Sequence, residues 1–462
     1  MGRGVGGCTS PGYQIDSTIE TTLAGNNGTP ALIAERGRLA RAIRNGFCLF
    51  WLVLVLAVTG MLAVGGRPDP RVGRVLDGPW RFHAGDDARW ADPGLDDRSW
   101  DRIMLVSNPD SRDGDVGFPG YFDGWRARGH AALSGFGWYR REVQLPQQRD
   151  LVLVGPPVVD DGYAMFWNGQ AIGGIGRLTG APNVNGTRPL RVDLPPTHGA
   201  RSAVLAIRAF MQPGPGRDAQ SGGLRTVPVL ATAAEGKALY AAQWRRTIAG
   251  YVVDAVEPLA LLILAGLALF ALPGLARPHF SRWIALAVAT SALLRLGNAI
   301  SAWTDLVSQP TLDWMRGIIG TPLAKLAWTM AWNQWTDGRD RRLVAAAAVV
   351  AWIVMTAAAI LENAWLGGAG RAMIALALAA AAVRIARHGE HRLLALSAMF
   401  FTSVGLFAPD LSALGVPGIW FPFNIGVSRS QYAYALALPL LAFALAAQAG
   451  GPRGRAPSRE AS

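Results

Sequence analysis

Four ionisable residues stand inside long apolar runs of this 462-residue chain: Asp254, Glu257, Arg295 and Lys325. A charge at membrane depth is costly, so such groups face a bundle interior or a water-filled cavity and find partners there. Asp254 and Glu257 fall a few residues inside one apolar segment, and Arg295 lies at a similar depth in the next. If those two segments run antiparallel as neighbours, Glu257 and Arg295 meet. Lys325 lies near the middle of a third segment, and its spacing identifies no partner. The chemistry open to this set is a structural ion pair, a switch between two helix arrangements, or a path for a small ion or proton. Pro258, directly after Glu257, removes one helical hydrogen bond at that level.

A second set is polar and aromatic. Residues 80–100 read WRFHAGDDARWADPGLDDRSW, and Trp125, Trp138 and Trp167 follow. Binding sites combine aromatic surface with a few placed polar groups; aromatic faces stack on sugar rings while Asp, Asn and Arg bond the hydroxyls. The candidate ligand contacts are Trp138, Arg140, Asp160, Asp161, Trp167 and Asn168. The carboxylates Asp86, Asp87, Asp92, Asp96 and Asp97 read as turn residues. No pair of them is identifiable as the two carboxylates a glycosidase sets across one bond. The DxDxDG calcium loop is absent. His83, His130 and His198 lack metal-ligand spacing, and Gly173-Gly174-Ile175-Gly176 lacks the strand-to-helix context of a phosphate loop. Asn27-Gly-Thr and Asn185-Gly-Thr match the glycosylation sequon by pattern alone. No catalytic residue, metal or cofactor is therefore expected.

The elements that must position these sets follow from composition. Hydrophobic residues make up 51% and charged residues 16%, against about 25% charged in ordinary globular chains. The formal net charge is +12, but the basic residues flank apolar runs, which favours membrane topology over nucleic-acid binding. The cysteines, Cys8 and Cys48, make no disulfide framework. Residues 1–46 read as a mostly disordered basic tail. The apolar run 47–64 is long enough to cross a core of about 30 Å, as a transmembrane helix or signal anchor. A cleaved signal peptide ending near Ala63-Val64-Gly65 is the competing reading.

Residues 67–240 carry no spanning segment. RIMLVSNP, GWYRREVQL, DLVLVGPP, YAMFWNG, RPLRVDLP and SAVLAIRAF read as strands between turn signals, with a hairpin at Asn168-Gly169. The expected fold is an extracytoplasmic β-sandwich of jelly-roll type. From residue 248 to 449 seven apolar segments follow: 251–272, 280–300, 314–334, 343–362, 370–387, 391–408 and 429–449. Arginines concentrate in alternate gaps, at Arg277 and Arg282, Arg339 to Arg342, Arg384 to Arg392, and in the tail at Arg453, Arg455 and Arg459. The positive-inside rule places those gaps and both termini in the cytoplasm, which makes the chain a multi-pass protein of a bacterial inner membrane. Trp303, Trp314, Trp365 and Trp420 lie near the opposite ends, where interfacial tryptophans belong. Residues 450–462 read as a disordered cytoplasmic tail.

The blocks W80-R-F-H-A-G-D-D-A-R-W90-A-D-P-G-L-D-D-R-S-W100, G137-W-Y-R-R141 and F166-W-N-G-Q-A-I-G173 carry a resemblance. They are similar to the galactose-binding-like jelly roll at the front of family-2 glycoside hydrolases, a non-catalytic, sugar-binding-type module. The order of parts over roughly residues 45–450 resembles the bacterial seven-transmembrane receptors with diverse intracellular signalling modules. The resemblance implies a sensor that binds a carbohydrate or glycan fragment outside and shifts a seven-helix bundle. The kinase, cyclase and phosphatase output modules of those receptors have no counterpart motif here, so a separate cytoplasmic signalling protein is the expected partner beside the lipid bilayer. The alternative reading is an integral-membrane enzyme or carrier, or its accessory, in envelope polysaccharide assembly. There, Glu257, Arg295 and Lys325 would handle a phosphate-linked substrate or protons. Whether these three line one cavity separates the two.

Overall fold

The computed structural model describes residues 30–147, 150–180, 182, 188–196, 199–213, 219–271 and 278–450. His198, Arg277, both sequons, Cys8, most of the N-terminal tail and the C-terminal arginines lie outside them. The first described element is helix α1 (Pro30–Gly65). Its apolar stretch Gly37–Gly65 is long enough to cross a membrane. Leu49, Leu52, Val53 and Leu56 are exposed along it, as a lipid-facing surface requires. Its other side is held where the Trp51 indole donates to the Ala435 carbonyl at 3.1 Å.

Twelve strands follow: β1 (Arg74–Val75), β2 (Gly78–Ala84), β3 (Asp101–Leu105), β4 (Gly135–Gln144), β5 (Leu151–Val154), β6 (Val159–Asp160), β7 (Gly162–Trp167), β8 (Gln170–Ile175), β9 (Arg191–Asp193), β10 (Ser202–Met211), β11 (Gly223–Leu224) and β12 (Val229–Thr232). They form a six-stranded sheet, ordered β3-β2-β4-β10-β7-β8, and a four-stranded sheet, ordered β1-β12-β5-β9, with β6 and β11 paired apart. All pairings are antiparallel. Side chains alternate across a strand. Leu205, Ile207 and Ala209 of β10 and Tyr139 and Val143 of β4 point to the shared core, where they meet Leu151, Leu153 and Leu230 of the smaller sheet. The result is a β-sandwich. Asn168 and Gly169 take φ of 47° and 83° and join β7 to β8, so the Asn-Gly pair makes the hairpin its spacing predicts.

The sandwich closes at Thr232, short of the boundary expected at 240. Helix α2 (Ala233–Gly266) starts at the next residue on a capping box between Thr232 and Glu235. Thr232 N–H donates to Glu235 Oε2 at 3.0 Å. The T-x-x-E signal for this start is present in the sequence. Residues 233–240 are therefore the first turns of a helix that runs, through a π turn at Leu267–Ala271, from the sandwich into the apolar region.

The remaining helices are α3 (Pro278–Trp303), α4 (Gln309–Trp314), a π-helical turn Met315–Gly320, α5 (Thr321–Asn333), α6 (Arg341–Ile360), α7 (Ala364–His388), α8 (Arg392–Leu406), α9 (Ala408–Ala413) and α10 (Arg429–Gly450). A short ribbon, β13 (Ile419–Trp420) with β14 (Val427–Ser428), precedes α10. Among the described residues six helices are long and apolar enough to cross a membrane: Gly37–Gly65, Ala233–Phe270, His279–Trp303, Arg341–Ile360, Ala364–His388 and Arg429–Gln448. They make this a multi-pass membrane chain. Five of the seven segments expected after residue 248 are in that set. The segment 314–334 is divided where α winding gives way to π winding, and Arg392–Leu406 is a shorter apolar helix. The bundle interior is packed with aromatic rings, Trp328 lying stacked on Trp332 with centroids 6.4 Å apart.

Candidate functional site

Two regions gather the chemistry-bearing residues. The first is the outward face of the six-stranded sheet. On β4 and β10 the positions facing away from the core include Trp138, Arg140, Ala206 and Arg208. Residues 85–100 fold across them. Trp138 lies stacked on Phe166 and edge-on to Trp90, and its indole donates to Asp86 Oδ1 at 3.2 Å. Arg140 Nε donates to Asp97 Oδ2 at 3.0 Å, and its guanidinium also reaches the Trp90 carbonyl. Arg208 Nε donates to Asp86 Oδ1 at 2.6 Å. His83 lies against Trp90 and Trp100 with centroids 4.5 and 5.2 Å away. The tryptophan- and aspartate-rich stretch is thus a cover for the sheet.

This cover decides the fate of the expected ligand patch. Trp138 and Arg140 are 0% and 1% exposed, and Trp167, on the core side of β7, is 3% exposed. These three offer no surface to a solute, and they do not come together with Asp160 and Asp161. A strand residue facing away from the core reads as exposed in sequence; here a loop from earlier in the chain buries it. Asn168 is exposed, but its Oδ1 accepts from Val204 N–H at 2.7 Å, which fixes the hairpin.

The second region lies between the sandwich and the helix ends nearest to it. A cavity of about 1400 Å³ opens there, and both parts of the molecule supply its wall. The sandwich contributes Asp115, Asp160 and Asp161. Asp160 is held by Gly222 N–H at 2.7 Å and Arg225 Nη1 at 2.8 Å. Asp161 Oδ2 accepts from Gln212 N–H at 2.8 Å. Asp115 is open to the cavity yet ringed by protein. That enclosure, with Asp113, Asp160 and Asp254 nearby, pushes its carboxyl up to about 7.

From the helices come Asp254, Arg295, Arg316, Lys325 and Arg371. The Arg295 guanidinium is in contact with the Glu257 carboxylate and lies 3.6 Å from Asp254 Oδ1. The pairing across α2 and α3 is the one their depths predicted. Asp254 also accepts from Gln431 Nε2 at 2.9 Å and Asn298 Nδ2 at 3.3 Å, and Asn298 is bonded by Arg316. A chain of ion pairs and hydrogen bonds therefore runs from Glu257, which is 1% exposed, through Arg295, Asp254 and Asn298 to Arg316 at the cavity. Lys325, for which spacing gave no partner, donates to the Leu406 carbonyl at 2.7 Å, lies 4.0 Å from Asp410 Oδ2 and sits over the Phe407 ring. Its partners arrive from α8 and α9. Asp254, Arg295 and Lys325 all line the one cavity, and Glu257 sits behind it.

Two arginines join the sandwich to the helices. Arg188 donates to the carbonyls of Ser301, Ala302 and Thr304 and lies 2.7 Å from Asp305 Oδ1. It thereby caps the C-terminal carbonyls of α3, a favoured place for a cation. Arg246, on α2, donates to Gly117 O at 3.2 Å, Asn424 O at 3.0 Å and Arg67 O at 3.3 Å. It ties a sandwich loop, the segment after α1 and the segment before α10 to one helix. Neither residue stood out by motif. Arg188 satisfies carbonyls that a helix end leaves unpaired, and Arg246 satisfies loop carbonyls.

No family model and no curated protein matches this chain. Among solved structures, part of the chain is similar to family-2 glycoside hydrolases. A β-glucuronidase of Bacteroides uniformis is 20% identical over 34% of this chain and 17% of that one, with a TM-score of 0.25. A family-2 member from Bacteroides cellulosilyticus is 18% identical over 34% of this chain and 20% of that one, with a TM-score of 0.23. A β-glucuronidase of Faecalibacterium prausnitzii is 18% identical over 36% of this chain and 32% of that one, with a TM-score of 0.22. This chain thus spans a minor part of the length of each.

Proposed function

We propose that this protein is a receptor-like membrane sensor. Its jelly-roll sandwich, on the extracytoplasmic side, and the near ends of its helix bundle hold a carbohydrate or glycan fragment between them. A separate cytoplasmic protein reads the bundle at its far end. The observation that carries this reading is the cavity of about 1400 Å³ whose wall is shared by sandwich and helices. A ligand seated there touches both parts, so it can favour one mutual arrangement over another through differential affinity. The unbroken helix from Thr232 and the Arg188 joint are the rigid connections such a shift would use. The arginine-rich loops at the opposite helix ends support the stated orientation.

One observation favours the carrier or enzyme reading: of Glu257, Arg295 and Lys325, the latter two border the cavity, whereas Glu257 sits behind it in a buried pair with Arg295, as the receptor reading expects. The same experiment addresses both. Full-length protein in nanodiscs is screened against a glycan panel by thermal shift, since binding to the native state alone raises apparent stability. The sensor reading expects a shift that Asp161→Asn reduces about tenfold in affinity, the equivalent of one lost charge-assisted hydrogen bond. Uptake or turnover of the bound compound in proteoliposomes would decide for the carrier or enzyme, and a panel without a hit would count against a glycan ligand.

A further inference from the structure

The cavity takes all its cations from one side, and one rim of its wall is flanked by exposed apolar side chains. Among the described residues, every ionisable group that the sandwich adds to the wall is an aspartate: Asp115, Asp160 and Asp161. Every cation in the wall comes from helical segments: Arg295, Arg316, Lys325 and Arg371. On the helix side, the wall residues that are also exposed are Asp313, Trp314 and Gly317 on one edge and Glu362, Asn363 and Ala364 on the other. These edges adjoin, because the Met315–Gly320 turn packs on α6. Around them stand exposed apolar side chains: Met315 and Ile319 beside the first edge, Ile360, Leu361 and Trp365 beside the second, with Trp365 at 90% exposure. Apolar and tryptophan side chains at the ends of spanning helices belong at the level of the lipid interface. A molecule passing between these edges would therefore come from the lipid side. The π turn forming one edge is a winding that recurs at functional sites.

We infer that the cavity receives the head group of a membrane phospholipid, entering sideways between the Met315–Gly320 turn and the 360–364 corner. This rests on reading the cavity as a ligand site. A lipid with its tails in the bilayer carries its phosphate nearer the tails than the rest of its head group. The phosphate then meets the helix cations, Arg316 and Arg371 first, and arginine's fork suits phosphate oxygens. The part beyond the phosphate meets Asp160 and Asp161 of the sandwich, and an ionised carboxylate only accepts hydrogen bonds. The site therefore selects head groups with donors beyond the phosphate, an ammonium or hydroxyls, over one without them. A lipid-linked sugar phosphate shares this chemistry.

The test uses the full-length protein in phosphatidylcholine nanodiscs. Phosphatidylethanolamine, phosphatidylglycerol and the tail-less head group glycerophosphoethanolamine are titrated in turn, and retained molecules are counted by native mass spectrometry. Phosphatidylethanolamine and phosphatidylglycerol are expected to be retained over phosphatidylcholine, and glycerophosphoethanolamine to bind far more weakly. Arg316→Gln lowers retention of both lipids about tenfold, one charge-assisted contact. Asp161→Asn narrows their preference over phosphatidylcholine. Arg371→Gln, at a half-exposed side chain, repeats the Arg316 test should that variant not fold. Equal retention of phosphatidylcholine overturns the inference. Binding of glycerophosphoethanolamine or a soluble glycan as tight as that of the lipids also overturns it, while leaving the cavity as a ligand site. Loss of every ligand, soluble or lipid, removes both readings.

Discussion

The outer face of the six-stranded sheet and the cavity beneath the sandwich hold the same residue types to opposite ends. Both combine aspartate, arginine and tryptophan. On the sheet, Asp86 and Asp97 are spent on Arg208, Trp138 and Arg140, and the tryptophans cover one another. At the cavity the cations all come from the helices and face the sandwich aspartates, with Asp254, Asp313 and Glu362 standing among them on the helix side. The first arrangement is closed; the second also pairs its charges, Asp160 with Arg225 and Arg295 with Glu257, but does so around space that a ligand can enter. Residue type alone does not separate a cover from a site; the presence of room does.

The largest effect is expected at Trp138. If the outer face is a packed layer, Trp138→Ala lowers the unfolding free energy of the full-length protein by about 4 kcal/mol, the usual cost of deleting a large buried ring. Denaturant unfolding followed by tryptophan fluorescence in detergent measures it. A loss below about 1 kcal/mol, a surface-like value, would mean that the face is open and the expected ligand patch returns.

A smaller effect tests the joint that lets the cavity speak to the bundle. Arg188→Ala removes donors from the last carbonyls of α3 and is expected to cost about 1–3 kcal/mol, felt locally. Hydrogen exchange should quicken at residues 301–306, where the arginine binds, while the core strands β4 and β10 keep their protection. Equal loosening of both would show that Arg188 merely supports the whole fold.

The smallest effect is one of pH. Asp115 holds its proton more strongly in the folded protein, at about 7, than at its ordinary value of 3.8. Between those values the folded state binds more protons than the unfolded one, so stability falls as pH rises through the window. Asp115 is open to cavity water, which screens the effect to less than about 1 kcal/mol. Asp115→Asn should flatten the slope of melting temperature between pH 4 and pH 7, as about that window predicts. An unchanged slope would mean that Asp115 is solvated as an ordinary surface carboxylate.

Much of the frame was legible from residue order. Alternation in SAVLAIRAF and GWYRREVQL marks real strands, Asn168-Gly169 marks a real hairpin, and the matched depth of Glu257 and Arg295 anticipates their contact. The T-x-x-E cap at Thr232 was equally legible and shortens the sandwich. The errors have physical reasons. Trp138 and Arg140 are on the polar-looking face of β4, and nothing local says that a loop more than one strand earlier lies over them. Lys325 finds its partners on α8 and α9, beyond any i to i+4 spacing. The cavity is invisible in sequence because its wall draws on positions from Gly114 to Gln431. The motif that stood out most, residues 80–100, belongs to the closed region, while the open one carries no motif at all.

If the cavity is the ligand site, ligands enter it and leave the outer face alone. Single cysteines at Ser430, in the cavity wall, and at Gly94, in the cover, can be placed in a Cys8→Ser, Cys48→Ser background and labelled with a water-soluble maleimide in nanodiscs. Labelling rates are then compared with and without a bound glycan or phospholipid. The bound molecule is expected to slow labelling at position 430 and to leave position 94 unchanged. Protection at position 94 with none at position 430 would contradict this.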